Sequence, residues 1–157
     1  RIDVETYAFA SVMRNPDPPN YFASKYSLPH AAAVLAVRGG LGFSAMDDSA
    51  ITDPAVAALR HRVHVAEDGT MTARIPAERP ARVTVTLKDG RQASAVRAMS
   101  RRDEEQPDPE QDIRAKFHEL AGTVLPAAGV HAVEDAVARA DEWSSVADLT
   151  TLLRRHV

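Results

Sequence analysis

A short stretch around residue 27 gathers side chains that could bind an organic acid. Lys25, Ser27 and His30 lie within six residues of one another, directly before the apolar run from Ala31 to Val37. Ser27 is a typical N-cap, so the run predicts a helix whose first amides are unpaired and whose dipole favours anions. An ammonium, a hydroxyl and an imidazole at such an end would suit a substrate that bears a carboxylate. The alternative is a capped core helix whose histidine satisfies a buried neighbour.

The other histidines form no pattern typical of a metal site. His61 and His64 are three residues apart, but they straddle a predicted helix-to-strand junction, and no third ligand cluster follows them. We interpret them as an exposed or hairpin-facing pair. His118 is interpreted as a surface histidine, and His131 and His156 have no partner pattern. We therefore expect no metal site.

Two carboxylate pairs and one glycine cluster also give no site. Asp47-Asp48 and Glu104-Glu105 are adjacent residues, which do not face one another, so solvation explains them better than acid/base chemistry. The glycines of residues 39–42 follow a predicted helix. A phosphate-binding loop would instead lie between a strand and the start of a helix.

The elements that position these residues are predicted from periodicity. Alternating apolar and polar side chains predict strands over residues 2–6, 62–65, 81–87 and 92–98. The last two strands flank Asp89-Gly90, which suits a tight hairpin, and Asp68-Gly69 is predicted to be a turn. Helices are predicted over 28–38, with most of the circumference buried, and from Pro54 behind the N-cap Asp53.

The second part of the chain has a different character. Charges and prolines between Ser100 and Asp112 predict a solvated connection. Beyond it, three sets of apolar residues recur at helical spacing, around Phe117, Val133 and Leu152. The fold class is therefore α+β: a small antiparallel sheet with flanking helices in residues 1–100, then a helical tail in residues 108–157. Apolar side chains on the first tail helix predict self-association of the isolated chain.

Composition excludes several classes of protein. The 157 residues carry a net charge of −3, so no nucleic-acid footprint is expected. The absence of cysteine excludes disulfides, thiolate catalysis and cysteine-ligated metals. No apolar run approaches the roughly 20 residues of a membrane-spanning helix, and a cytoplasmic location is the default expectation. Arg1 stands where an initiator methionine would, so we expect the chain to start inside a longer protein.

The ordered set of motifs resembles the MmgE/PrpD family. The residues that carry the resemblance are Lys25-Tyr26-Ser27-Leu28-Pro29-His30 with the alanine-rich helix and Gly39-Gly40 behind them, then Asp53-Pro54, the strand at 62–65, the segment 83–91 and the segment 113–117. The similarity covers nearly the whole chain. It implies enzymes such as 2-methylcitrate dehydratase, cis-aconitate decarboxylase and iminodisuccinate epimerase, which act on small di- or tricarboxylic acids without a metal or organic cofactor.

The resemblance also implies an architecture and a set of roles. Residues 1–100 correspond to the small α+β lid domain. The tail would complete a large N-terminal helical domain, or a separate helical chain, whose acid/base residues this sequence lacks, and members are usually homodimers. His30 occupies the place of an active-site tyrosine and is predicted to be the acid/base or oxyanion-stabilising group. Lys25 and Ser27 are predicted to contact substrate carboxylates.

Three interpretations of function remain. The first is the C-terminal segment of a lyase or isomerase that would be inactive alone, because catalysis needs groups held in one shared geometry. The second is a non-catalytic module that binds a small acid or assembles with a helical partner. The third is a degenerate homologue that keeps the fold without the activity.

Overall fold

The computed structural model describes residues 1–98 and 109–156. The chain divides into two compact units, Arg1–Pro107 (unit 1) and Asp108–Val157 (unit 2). Most of the predicted solvated connection, including Glu104-Glu105, lies outside the described residues, and a helix already begins at Glu110.

Unit 1 contains a four-stranded sheet with the order β2-β1-β3-β4. Its strands are β1 (Ile2–Thr6), β2 (Val63–Glu67), β3 (Ala81–Thr86) and β4 (Gln92–Arg97). β3 runs antiparallel to β1 and to β4, whereas β2 runs parallel to β1, with Ile2 opposite Val63. The α+β class is confirmed. The sheet is mixed and not purely antiparallel, because a parallel neighbour needs a long crossover and the chain between β1 and β2 supplies one.

The described part of unit 1 also contains helices. They are α1 (Ala8–Ser11), α2 (Tyr21–Ser24), α3 (Leu28–Arg38), α4 (Asp48–Ile51), α5 (Pro54–Arg60) and α6 (Gly69–Thr72), with a 3-10 turn at Phe43–Met46. Asp68 is not part of a turn as predicted: its side chain accepts a hydrogen bond from the Thr70 amide, so Asp68-Gly69 opens α6. An aspartate before glycine is equally typical of a turn and of a helix N-cap, and the residues that follow decide which of the two forms.

Two groups of buried side chains form the core of unit 1. Ile2, Val4 and Val63 pack on one face of the sheet, with Leu28 and Leu59 against them. A second cluster joins α3 to the following helices through Ala33, Val34, Ala45, Ala50 and Val56. Along β1, buried residues such as Ile2 and Val4 alternate with less buried ones. This alternation fixes the strand register, since a slip of one residue would turn the apolar side chains outward.

The burial of α3 is confined to its first two turns, because residues 28–34 are all buried or half-buried and residues 35–38 are all exposed. Ala33 and Val34 are inaccessible to solvent, but Leu35 and Val37 are 49% and 41% exposed. The prediction that most of its circumference is buried therefore holds for the first two turns and is wrong for the last one, where all four residues are exposed. The predicted ends are confirmed: Ser27 is the N-cap, and Gly39 follows the last turn with φ +77°, a conformation that glycine adopts without strain.

Unit 2 is helical. Its helices are α7 (Glu110–Ala121), α8 (Ala127–Ala138) and α9 (Ala147–His156), with a 3-10 turn at Ala140–Glu142. Leu125, Val130 and Val133 are buried in its centre. Within the described ranges, no helix combines the length and the apolar content needed to cross a bilayer.

Candidate functional site

The start of α3 is held by the side chain of Ser27. Its hydroxyl accepts a hydrogen bond from the His30 amide at 3.0 Å and donates one to the Asn15 carbonyl at 2.6 Å. Ser27 is 2% exposed. The hydroxyl therefore satisfies one of the free amides of the helix and ties the preceding loop to it, and it is not presented to a ligand in this unit.

The imidazole of His30 lies in the core behind this cap. No part of the residue is exposed. Its Nε2 lies 2.9 Å from the Ala45 carbonyl, and its Nδ1 lies 3.2 Å from Nη1 of Arg60. The Ala45 carbonyl can only accept a hydrogen bond and the Arg60 guanidinium can only donate one. Nε2 of His30 therefore carries the proton, and Nδ1 accepts from Arg60. The ring connects α3 to the 3-10 turn and to the end of α5.

The electrostatic environment keeps this ring neutral. Burial away from water lowers the pKa of His30, and the positive charges of Arg60 and Arg38 lower it further, against the opposing effect of the Ala45 carbonyl. A neutral ring at ordinary pH agrees with the hydrogen bonds, because Nδ1 can accept from Arg60 only when it carries no proton.

Arg60 is a second internal polar residue at this position. It is 5% exposed, and its Nη1 also donates to the Ile51 carbonyl at 3.0 Å. Its buried Nε has no hydrogen-bond partner. In the parts of the chain that the structure describes, the guanidinium forms no ion pair. The role of Arg60 was not predicted from the sequence, because Arg60 lies thirty residues after His30 and neither residue alone indicates the other.

The three predicted site residues are therefore close in space but not equivalent. His30 and Ser27 have internal partners, whereas Lys25 is exposed and its Nζ lies 4.1 Å above the centroid of the Tyr21 ring. The acid/base role predicted for His30 stays a prediction. Within unit 1 both ring nitrogens have internal partners.

Two pairs of aromatic rings include side chains from the segment that contains Lys25, and one of these rings, Tyr21, contacts it. The rings of Tyr21 and Phe43 are 6.2 Å apart, and those of Phe22 and Tyr26 are 5.2 Å apart. Phe22 and Tyr26 are 68% and 55% exposed. We call these five residues the Lys25 surface. All five residues are exposed, and together they offer one cation, two phenol hydroxyls and apolar rings.

The carboxylates of Asp47 and Asp53 serve as helix caps. Asp47 accepts from the Ala50 amide, and Asp53 accepts from the Ala55 amide and pairs with Arg38 at 3.1 Å. Hydrogen bonding, to Ser49 for Asp47 and to Arg38 for Asp53, holds the pKa of each carboxyl below its usual range. Neither is placed for acid/base work.

The histidines differ from expectation in one respect. His61 is exposed and lies 3.1 Å from Asp17, and His64 is exposed on β2, in agreement with their interpretation. In unit 2, however, His118 and His131 meet at Glu134. The expectation that His131 has no partner pattern is wrong, because the contact is made between two helices.

The mixed sheet, its helical crossover and the helices of unit 2 define an α+β protein of two units. Residues 1–142 match the family model described as MmgE/PrpD C-terminal domain. The chain belongs to the MmgE/PrpD family, as the motifs around Ser27 indicated. The search of curated proteins gives no match.

Proposed function

We propose that this chain is the C-terminal part of a lyase or isomerase that acts on small di- or tricarboxylic acids. The parent enzyme removes a proton next to a carboxylate, then expels hydroxide or carbon dioxide or returns the proton to the other face. The family match over residues 1–142 is the observation that carries the proposal. The chain contributes one wall of the site, and a helical domain or separate helical chain contributes the remaining acid/base groups.

Lys25 is the residue of this chain best placed to bind the substrate. Its ammonium is exposed and is held against the Tyr21 ring by a cation–π contact. A positioned cation attracts a carboxylate more effectively than a mobile one, because less side-chain freedom is lost on binding. The neighbouring rings exclude water when a second domain covers them, which strengthens the attraction.

Ser27 and His30 act on the site through their packing. Ser27 caps α3, and His30 joins that helix to the turn that carries Phe43. In this role they keep the Lys25 surface in one geometry. His30 is then a positioning residue, and the direct acid/base role would require the ring to leave both of its hydrogen bonds.

The test is steady-state kinetics of the full-length protein with citrate-like acids. Lys25→Gln is expected to raise KM about tenfold with little change in kcat, because it removes a contact made equally in the ground and transition states; tenfold corresponds to about 1.4 kcal/mol. Lys88→Gln, at an exposed lysine in the β3–β4 hairpin, is the matched control and should leave both constants unchanged. Equal effects of the two variants would contradict the assignment of Lys25.

His30→Ala separates the two roles of the histidine. A positioning role predicts a fall in kcat/KM that follows the loss of folded protein, with the pH profile of the folded fraction unchanged. Loss of one limb of the pH profile in a folded variant would instead support the acid/base role. An unchanged kcat/KM would show that His30 has neither the positioning role nor the acid/base role.

A second candidate is a non-catalytic module that binds a small acid or assembles with a partner. It is favoured by the internal hydrogen bonds of Ser27 and His30, and by exposed apolar side chains such as Phe9 and Val12, which are 76% and 68% exposed. Calorimetry of the isolated chain with citrate, together with sedimentation at several concentrations, separates the candidates. Activity of the isolated chain at parental level would contradict the enzyme-segment proposal.

A further inference from the structure

The facing sides of α7 and α8 in unit 2 bring together three side chains with metal-ligand chemistry. His118 lies in the last turn of α7, and His131 and Glu134 lie one turn apart on α8. Nε2 of His118 is 2.8 Å from Oε2 of Glu134, and Nδ1 of His131 is 3.8 Å from the same oxygen. All three ligand atoms lie within 4.8 Å of one another.

These separations are close to those of a tetrahedral zinc site. With metal–ligand distances near 2.0–2.1 Å, ligand atoms at the corners of a tetrahedron are about 3.3 Å apart. The two measured contacts at Glu134 lie on either side of this value. The side chain of His131 is 66% exposed and that of His118 is 39% exposed, so an ion can reach both rings from solvent.

Arg114 fixes the orientation of the carboxylate. Its Nη1 donates to Oε1 of Glu134 at 2.7 Å, and the same guanidinium binds Glu110. Oε1 is therefore occupied, and Oε2 is the oxygen that faces both histidines. An outer partner of this kind commonly orients a ligating carboxylate. The positive charge of Arg114 also reduces the affinity for a cation, so we expect weaker binding than in a closed four-ligand site.

We propose that His118, His131 and Glu134 bind one divalent transition metal of the zinc type and thereby cross-link α7 and α8. Two imidazoles with one carboxylate select zinc, cobalt, nickel or copper over magnesium and calcium, which prefer oxygen ligands. Water fills the remaining position. Each imidazole binds the ion through a nitrogen that carries no proton, and the carboxylate binds in its ionised form.

The test is a titration of the purified, metal-free 157-residue chain with Zn²⁺ and, for its visible absorption, Co²⁺. We expect one saturable site, no response to Mg²⁺, and a rise in the unfolding midpoint of unit 2 with metal concentration. The chain's single tryptophan, Trp143, lies in unit 2 and donates to the Ala136 carbonyl, so its fluorescence follows that transition.

His131→Asn is the decisive variant, because its side chain is exposed and its loss should not unfold α8. It is expected to weaken binding at least about tenfold. His61→Asn and His64→Asn, at exposed histidines of unit 1, are the matched controls and should bind as the parent chain does. The proposal is overturned if the parent chain shows no saturable binding, if His131→Asn binds equally well, or if a control variant removes the site.

Discussion

Replacement of His30 by alanine tests the central contact of unit 1. The imidazole is fully buried, and its loss leaves a cavity, an Ala45 carbonyl without its donor and an Arg60 guanidinium without one acceptor. Truncation of a buried ring to alanine typically destabilises a domain by about 3–5 kcal/mol. The Ala45 carbonyl left without a donor accounts for about 1–3 kcal/mol of that loss. We therefore expect a loss of about 3–5 kcal/mol in the free energy of unfolding.

The chain provides its own probes for this measurement. All three tyrosines, Tyr7, Tyr21 and Tyr26, lie in unit 1, and the single tryptophan lies in unit 2. In urea, the midpoint of the unfolding transition followed by tyrosine near-UV dichroism should fall by roughly 2 M. This follows because the free energy of unfolding decreases by about 1–3 kcal/mol for each molar of urea. The Trp143 fluorescence, which reports on unit 2, is recorded in the same titration.

The pH dependence gives the experiment a second arm. Because burial lowers the pKa of His30, the unfolded chain binds more protons than the folded one below about pH 6.5. The parent chain therefore loses stability through this group as the pH falls from 7 to 5. His30→Ala has no such group, so the difference between the two proteins should narrow over that range.

His64→Ala is the matched control for both arms. His64 is exposed on β2, and its replacement should change the free energy of unfolding by less than about 0.5 kcal/mol. The reasoning is refuted if His30→Ala costs no more than this control. It is also refuted if the difference between parent and variant widens on acidification, since the folded ring would then be charged.

Two further predictions concern the ends of α3, and both are measured by urea unfolding with the tyrosine signal. Ser27→Ala removes the cap on the His30 amide and is expected to cost about 1–2 kcal/mol, whereas Ser44→Ala, at an exposed serine, should be neutral; equal effects would contradict the role of the cap. Gly39→Ala forces an alanine to φ +77° and is expected to cost about 1–2 kcal/mol. Gly40→Ala meets open space without a positive φ and should be close to neutral, so a similar loss at both glycines would show that strain is not the cause.

Local signals in the sequence predicted the elements of unit 1 well. The alternation of Ile2, Val4 and Thr6 predicted β1, and Asp89-Gly90 predicted the hairpin turn between β3 and β4. Ser27 and Gly39 marked both ends of α3. Each of these signals acts within a few residues, where side-chain type decides the backbone conformation.

Contacts between distant residues were not predictable in this way. His30 was correctly placed at the start of a helix, but its burial depends on Arg60 and on the Ala45 carbonyl, which belong to other elements. The pairing of His131 with Glu134 was not predicted, although the two residues are three apart on one helix, and His118 joins them only because α7 and α8 pack together. Residue spacing predicts which side chains share one face of a helix. Which other element packs against that face is known only from the three-dimensional structure.

The strand order has a consequence for synthesis of the protein. β1 lies between β2 and β3, yet both neighbours follow residue 62 in the chain. As the ribosome elongates by about 5–20 residues per second, this strand leaves the exit tunnel several seconds before either partner can align with it. Its unpaired amides and carbonyls remain open to other nascent chains during that interval. The yield of native protein should therefore depend on how long translation pauses between Thr6 and Thr86.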